Sequence, residues 1–182
     1  MPHNKLLTVK HCNSSDICND RYKDIISVET IPNFPLNRAL GLTLTYNEKC
    51  YKIVGVHLKS LYDHNYKKDV PEQLAQLAAV QEWIGDTDNS IVCGDLNNTP
   101  GSLPIQKMGQ YGYTDIIDSD KYVPSIMDST NTEFHGKDGK ESGSRIDYIF
   151  TKNIKILDYK HIDKKLPSGL WPSDHLPILI TY

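Results

Sequence analysis

The sequence has few cysteines, no long apolar run and no excess of positive charge, and each absence excludes a class of protein. Four cysteines among 182 residues are too few and too scattered for a disulfide framework or a paired Cys-X-X-Cys zinc site. No apolar stretch approaches the roughly 20 residues of a membrane-spanning helix, and residues 1–10 lack the apolar core of a secretory signal. The net charge of −3 argues against a protein that coats nucleic acid. We therefore expect a soluble protein, in a compartment that the sequence leaves open.

The size and punctuation of the chain predict one domain. A length of 182 residues suits one domain with a core and is short for two. No internal repeat and no linker divides the chain, so residues 1–182 are interpreted as a single domain.

Apolar periodicity predicts an alternation of strands and helices. Strands are expected over residues 24–31, 39–46, 50–58, 90–93, 145–151, 154–161 and 176–181. The second and third are expected to form an antiparallel hairpin around a three-residue connection, 47–49. A helix is expected to open at Pro71 and to end at Gly85, with one apolar stripe of Leu74, Leu77, Ala78, Val80 and Ile84. Residues 99–143 are rich in turn formers and predict surface loops around a short helix at 103–108.

Four polar motifs interrupt or end these apolar strands. They are Val-His57-Leu-Lys-Ser60, Cys-Gly-Asp95-Leu-Asn97, Ser-Arg145-Ile-Asp147-Tyr and Ser173-Asp174-His175-Leu-Pro. Charged groups rarely end a buried strand without a partner or a ligand. An α/β sheet also places its working groups at strand ends and in the loops that follow. The four motifs are therefore candidates for one functional site.

In this order the motifs resemble the endonuclease/exonuclease/phosphatase superfamily, over about residues 24–182. The resemblance implies an α/β fold of two stacked mixed or antiparallel β-sheets flanked by helices, the DNase I-like four-layer sandwich. It also implies a metal-dependent phosphoesterase that hydrolyses a phosphodiester by in-line attack of water, most of all a nuclease. Nucleic acid or another phosphodiester is then the expected substrate.

The resemblance carries catalytic roles to five residues. Asp95 would accept the proton of the attacking water, since a carboxylate within hydrogen-bond reach is a simple base. Asn97 would orient that water or donate to a phosphate oxygen. His175 would stabilise charge on the phosphate, and Asp147 would hold its imidazole in one tautomer. His57 would be a second imidazole on the phosphate or leaving-group side.

Further roles follow for metal and substrate. Asp174 is expected in or near the shell of a Mg²⁺ or Mn²⁺ ion, because these cations prefer hard oxygen ligands. Ser60 and Arg145 are expected to contact substrate. Trp171 either stacks on a base or packs its loop.

Each motif alone has a simpler interpretation. Gly-Asp-Leu-Asn is typically a turn, and Ser-Asp-His is as readily a helix cap. Asp147 alone would be an ion-pair partner of Arg145, and His57 alone a satisfied core histidine. The functional interpretation depends on the occurrence of all four motifs together.

The sequence departs from the family at its N-terminal side. Members normally begin with a strand ending in Asn and a later strand ending in a Gln-Glu pair whose Glu binds the metal, and we find neither. We therefore expect an N-terminally incomplete domain. It would be a fragment, a split enzyme completed by a second chain or an upstream segment, or a shortened relative. The last would be an accessory module that binds phosphate without turnover, and a lipid or small-molecule phosphodiesterase is a further alternative.

Overall fold

The computed structural model describes residues 25–34, 38–46, 48–60, 66–117, 145–162, 164–168, 173 and 175–182. Within these ranges the chain forms eight strands and two helices. In chain order they are β1 (Ile25–Thr30), β2 (Ala39–Tyr46), β3 (Lys49–His57), α1 (Tyr66–Ile84), β4 (Asn89–Asp95), α2 (Leu103–Gln110), β5 (Thr114–Asp115), β6 (Asp147–Lys152), β7 (Asp158–His161) and β8 (Ile178–Thr181).

Six strands form one mixed sheet in the order β1-β2-β3-β4-β6-β5, and β7 and β8 form a second, two-stranded antiparallel sheet. β1, β2 and β3 pair antiparallel, β3 and β4 pair parallel, and β6 is antiparallel to β4. A parallel pair needs a crossover connection, and α1 supplies it between β3 and β4. The predicted α/β class, with two sheets and flanking helices, is confirmed.

One face of the large sheet packs against the helices. Val54, Val56 and Val92 alternate toward this face and are buried together with Leu77 and Val80 of α1 in one apolar cluster. Side chains alternate between the two faces of a strand, so the intervening residues of β3 and β4 point to the opposite face. His57 and Asp95 belong to that second set.

Tyr182, directly after β8, lies near the face of the large sheet that points away from α1. The pKa of Tyr182 is raised, first by burial and then by the neighbouring phenols of Tyr51 and Tyr46. Tyr51 stands opposite Leu44 in the β2–β3 ladder, on the face that points away from α1. The chain thus returns, after β8, to the side of the sheet that carries His57 and Asp95.

Several predicted boundaries differ from the structure. Helix α1 begins at Tyr66 and contains Pro71 in its interior, so the expectation that Pro71 opens the helix is wrong. Two residues rather than three connect β2 to β3, since Tyr46 pairs with Lys49, and Glu48 there has φ 63°. The predicted strand over 154–161 is shorter, because β7 begins only at Asp158.

One element was not predicted. The short strand β5 lies within the stretch expected to be loop, and it pairs with Thr151 and Phe150 of β6.

Of the helices in the described ranges, none has the length and apolar character to cross a membrane.

Candidate active site

Three of the predicted residues stand in one row across three neighbouring strands. His57 ends β3 and is in register with Asp95 at the end of β4, and Asp95 is in register with Asp147 at the start of β6. Residues in register on adjacent strands point to the same face, with Cβ atoms about 5 Å apart. The ladder therefore brings an imidazole and two carboxylates to one edge of the sheet.

Gly94 allows β4 to approach β3 closely just before Asp95. Its φ is 127°, and a Cβ atom added there would overlap the carbonyl oxygen of Val56. A left-handed conformation and a close backbone approach both favour glycine. The Gly-Asp dipeptide of the motif thus fixes where the Asp95 carboxylate lies relative to His57.

Asp95 and Asn97 form a turn that ties the ends of β4 and β3 together. The backbone N–H of Asn97 donates to Asp95 Oδ1 at 2.7 Å, and Asn97 Nδ2 donates to the carbonyl oxygen of Leu58 at 2.9 Å. Asn97 has φ 50°, a conformation that Asn tolerates better than most residues. One hydrogen of the Asn97 amide is therefore committed to the chain itself.

Across the row, His175 joins the site from the loop before β8. Its Nδ1 lies 2.8 Å from Asp147 Oδ2, and its backbone N–H donates to Ser173 Oγ at 3.1 Å. A carboxylate on Nδ1 favours the tautomer with the proton on that nitrogen and stabilises the cationic ring. The side chain of His175 is 31% exposed and that of Asp147 is 16% exposed, so the pair is partly shielded from water.

The Asp95 carboxylate is partly buried and lies near a second carboxylate and two imidazoles. Burial raises its pKa above the ordinary value, the hydrogen bond from Asn97 lowers it, and the charge of Asp147 raises it again. His175 and His57 lower the pKa by smaller amounts. His57 Nε2 lies 3.6 Å from Asp95 Oδ2, which is too long for a hydrogen bond. Such a carboxylate is a better proton acceptor than one free in water.

Arg145 lies two residues before Asp147, just ahead of β6. Its side chain is 5% exposed and forms a bidentate ion pair with Asp115, at 2.7 and 3.2 Å. The guanidinium also stands over the ring of Tyr148, 4.3 Å from its centroid. The ion-pair partner of Arg145 is thus Asp115 rather than Asp147, and its contact with substrate stays a prediction.

The predicted site also includes Ser60, Trp171 and Asp174. Ser60 is half-buried, three residues after His57. Trp171 and Asp174 lie outside the described residues. The chemical roles of all site residues stay predictions.

Sequence reasoning missed two glutamines on α1. Gln73 and Gln76 are buried, and both bind the backbone of Lys59, directly after His57 and Leu58. They occupy the same helix face as Leu77, Val80 and Ile84, so two amides within an apolar stripe were the available indication.

Two of the described side chains at this site could bind a divalent metal ion. Asp95 and Asp147 offer the hard oxygen donors that Mg²⁺ and Mn²⁺ prefer. However, no group of three or more His, Cys, Asp or Glu side chains within the described ranges converges as a ligand set. The described residues alone therefore do not form a metal centre.

The chain belongs to the endonuclease/exonuclease/phosphatase family. The sequence model of that family matches residues 7–175, so the match begins before Asp24, the predicted start of the resemblance, and ends at His175. The family takes its name from endonucleases, exonucleases and phosphatases. No curated protein sequence matches the chain.

Solved structures of the DNase I-like fold are similar to the chain. A conserved Enterococcus faecalis protein of unknown function is 20% identical with a TM-score of 0.59, over 83% of this chain and 57% of its own. D. rerio TDP2, complexed with a single-strand DNA product, is 20% identical with a TM-score of 0.63, over 87% and 67%. The Neisseria 3′ phosphatase NExo, bound to a product DNA hairpin, is 16% identical with a TM-score of 0.61, over 86% and 70%.

These identities support the fold alone. The chain spans less than two thirds of the length of the Enterococcus protein. The activity and substrate of the whole protein are therefore matters for proposal.

Proposed function

We propose that the protein hydrolyses a phosphodiester by in-line attack of water, and that its natural substrate is a nucleic acid. The observation that supports this most is the row at the sheet edge, where a partly buried carboxylate stands beside a carboxylate-supported imidazole. A base for water and a cation for the phosphate oxygens are the two groups that such a reaction needs close together.

In this proposal Asp95 is the general base. Its Oδ1 is held by the Asn97 N–H, which leaves Oδ2 turned toward His57 and open to a water molecule. Burial raises the pKa of this carboxyl, which strengthens it as a base. Asn97 orients the water or a phosphate oxygen with its second amide hydrogen.

His175 and Asp147 act as a pair on the phosphate. Asp147 fixes the ring through Nδ1 at 2.8 Å, so in the protonated ring Nε2 also carries a hydrogen and donates toward the phosphate. The cationic ring would then stabilise the negative charge that develops on the phosphate oxygens. The side chain of His57 is 53% exposed, so it can contact the substrate on the side of the leaving group.

A divalent cation, Mg²⁺ or Mn²⁺, is also part of the proposal. When bound it would neutralise charge on the phosphate. The described residues do not provide a full ligand set, so Asp174, or ligands from outside the described residues, would have to contribute.

The choice of a nucleic acid rests on the similar structures. TDP2 is complexed with single-strand DNA product, and NExo is bound to a DNA hairpin. Neither observation concerns this chain directly. A phospholipid or a small phosphoester as substrate is the competing outcome.

The test is a cleavage panel with matched variants. Purified protein is offered bis(p-nitrophenyl) phosphate, single- and double-stranded DNA, RNA and sphingomyelin, with Mg²⁺, Mn²⁺ or EDTA. We expect metal-dependent cleavage of the diester and of at least one nucleic acid, and loss of both in His175→Ala. Asp88→Asn, an exposed change in the turn before β4, serves as the control and should behave as wild type.

Two results decide against the proposal. Absence of turnover with either metal would leave a module that binds phosphate without cutting it. Cleavage of sphingomyelin alone would move the substrate from nucleic acid to lipid.

A double-mutant cycle tests the pairing of Asp147 with His175. If Asp147 acts only through the imidazole, Asp147→Asn should lower kcat in the wild-type background and have little further effect in His175→Ala. Independent, multiplicative losses would show that Asp147 has another role.

A further inference from the structure

The four backbone polar groups of Leu58 and Lys59 are all bonded to two other parts of the molecule. The site turn holds Leu58: its N–H donates to the carbonyl oxygen of Asp95 at 2.9 Å, and its carbonyl oxygen accepts from Asn97 Nδ2 at 2.9 Å. Helix α1 holds Lys59: its N–H donates to Gln76 Oε1 at 2.9 Å, and its carbonyl oxygen accepts from Gln73 Nε2 at 2.6 Å. The segment after His57 is therefore fixed from both sides.

The two glutamines occupy positions where apolar residues would pack. Gln73 is 0% exposed and Gln76 is 3% exposed, on the helix face that otherwise buries Leu77, Val80 and Ile84. A buried amide is unfavourable unless it is hydrogen-bonded. Among the residues that the structure describes, Gln73 Oε1 even lacks a hydrogen-bond partner, so stability alone does not explain an amide at this position.

We propose that Gln73 and Gln76 are positioning residues of the active site, a proposal that rests on the proposed function. They form an amide clamp, defined here as these two side chains on the Lys59 backbone. The clamp fixes the carbonyl of Leu58, to which the Asn97 amide is bonded, and the end of β3, from which His57 faces Asp95. Neither glutamine touches the reacting atoms in this proposal. Their effect passes through the backbone of two residues.

Near-isosteric substitutions separate positioning from packing. Gln73→Met and Gln76→Met keep length and helix propensity but remove the donor or the acceptor. A displacement of about 1 Å at a catalytic group can cost on the order of 100-fold in rate. We therefore expect kcat on bis(p-nitrophenyl) phosphate to fall about 10- to 100-fold in each variant, with KM changed less than about threefold.

A conservative variant and a matched control sharpen the test. Gln76→Glu keeps an acceptor oxygen for the Lys59 N–H in either protonation state, so kcat should return to within about threefold of wild type. Gln106 makes the same kind of bond on α2, from Nε2 to the carbonyl oxygen of Gly101 at 2.7 Å, but it is exposed. Gln106→Met should leave kcat unchanged.

A second measurement does not depend on turnover. In nuclear magnetic resonance spectra we expect both Met variants to shift the side-chain amide resonance of Asn97. Gln76→Met, which removes the acceptor of the Lys59 N–H, should also lose exchange protection at that N–H. Gln76→Glu should retain both wild-type signatures. Thermal unfolding of each variant shows that the protein is folded during these measurements.

The outcomes separate this proposal from the proposed function. Full kcat in the folded Met variants, or an equal loss of kcat in Gln106→Met, would overturn the clamp. If wild-type protein shows no turnover, the proposed function fails and the Asn97 resonance decides. A shift in the Met variants then supports the clamp, and an unmoved resonance overturns it.

Discussion

At the scale of single residues, Asp95 concentrates the chemistry of the site. Its carboxylate is 17% exposed, receives a hydrogen bond from Asn97 and faces both a histidine and a second carboxylate. Asp95→Asn preserves the shape and the oxygen that accepts from Asn97 while removing the proposed base. We expect kcat to fall by about 100- to 10,000-fold, measured on bis(p-nitrophenyl) phosphate. Activity within about tenfold of wild type would exclude Asp95 as the base.

The same substitution makes a prediction about stability. Burial and Asp147 raise the pKa of Asp95 in the folded protein, so ionisation of this group opposes folding. Between the unfolded pKa, about 3.9, and the raised folded pKa, the folded state binds more protons than the unfolded state. Stability contributed by Asp95 therefore falls as pH rises through this window and stays lower above it.

Asp95→Asn should accordingly be more stable than wild type at pH 7, and the difference should shrink below pH 4. Urea unfolding at pH 7 and pH 3.5 measures both values, with Asp88→Asn as the exposed control. A variant that is less stable than wild type at pH 7 would show that the His57 and His175 contacts outweigh the burial of the charge.

At the scale of elements, the closeness of β3 and β4 depends on Gly94. Gly94→Ala combines a left-handed φ of 127° with an overlap at the Val56 carbonyl. The backbone conformation alone costs about 1 to 3 kcal/mol, and the overlap adds to it. We expect a fall of at least that size in the free energy of unfolding.

Gly55 provides the matched comparison on the neighbouring strand. A Cβ there meets no atom within 4 Å, so Gly55→Ala should be neutral or stabilising by up to about 1 kcal/mol. Denaturant titration of both variants gives the two values. Equal effects at Gly55 and Gly94 would contradict the account of the β3–β4 contact.

The pair of Arg145 and Asp115 links β5 to the start of β6. Arg145→Met removes one partner of a largely buried ion pair, and such losses cost up to about 5 kcal/mol. Because Asp115 is 23% exposed, water compensates it in part, and we expect a loss of roughly 2 to 3 kcal/mol. Denaturant titration measures it, and an unchanged KM would show that Arg145 does not bind substrate.

Pattern alone predicted some elements well and others poorly. The hairpin of β2 and β3 was correctly predicted, since Leu40, Leu42 and Leu44 alternate with Gly41 and threonines over its whole length. The start of α1 was wrong because Pro71, normally a first-turn residue, lies inside the helix. β5 was missed because two residues carry no periodicity, and its pairing to β6 is a long-range contact.

The convergence of the site was predictable for a different reason. Strand ends bearing His57, Asp95 and Asp147 must meet if their strands are neighbours, and the order of the motifs suggested that they are. The clamp from α1 was not predictable in this way, because Gln73 and Gln76 bind backbone atoms. Which carbonyl or N–H they reach depends on how the helix packs across the sheet.

At the scale of the whole molecule, charge bears on the substrate. The net charge is −3, so an oligonucleotide, the proposed substrate, would not be attracted by the overall field and would be captured mainly through local contacts at the site. Each phosphate neutralised on a single strand contributes about −0.7 to the slope of log affinity against log salt. For a site that engages two or three phosphates we expect a slope no steeper than about −2.

This expectation is measured as kcat/KM for a fluorescent single-stranded oligonucleotide between 50 and 200 mM KCl. A slope of −2 over that fourfold range corresponds to a loss of about 16-fold, whereas a protein with six to ten phosphate contacts loses about 1,000-fold or more. Bis(p-nitrophenyl) phosphate carries a single charge and should change by less than about twofold, which controls for effects of salt on catalysis itself. If the oligonucleotide slope were as steep as that of a basic nucleic-acid-binding protein, the surface around the site would carry far more positive charge than the composition of the chain implies. The site would then have to be a long groove rather than a pocket centred on one phosphate.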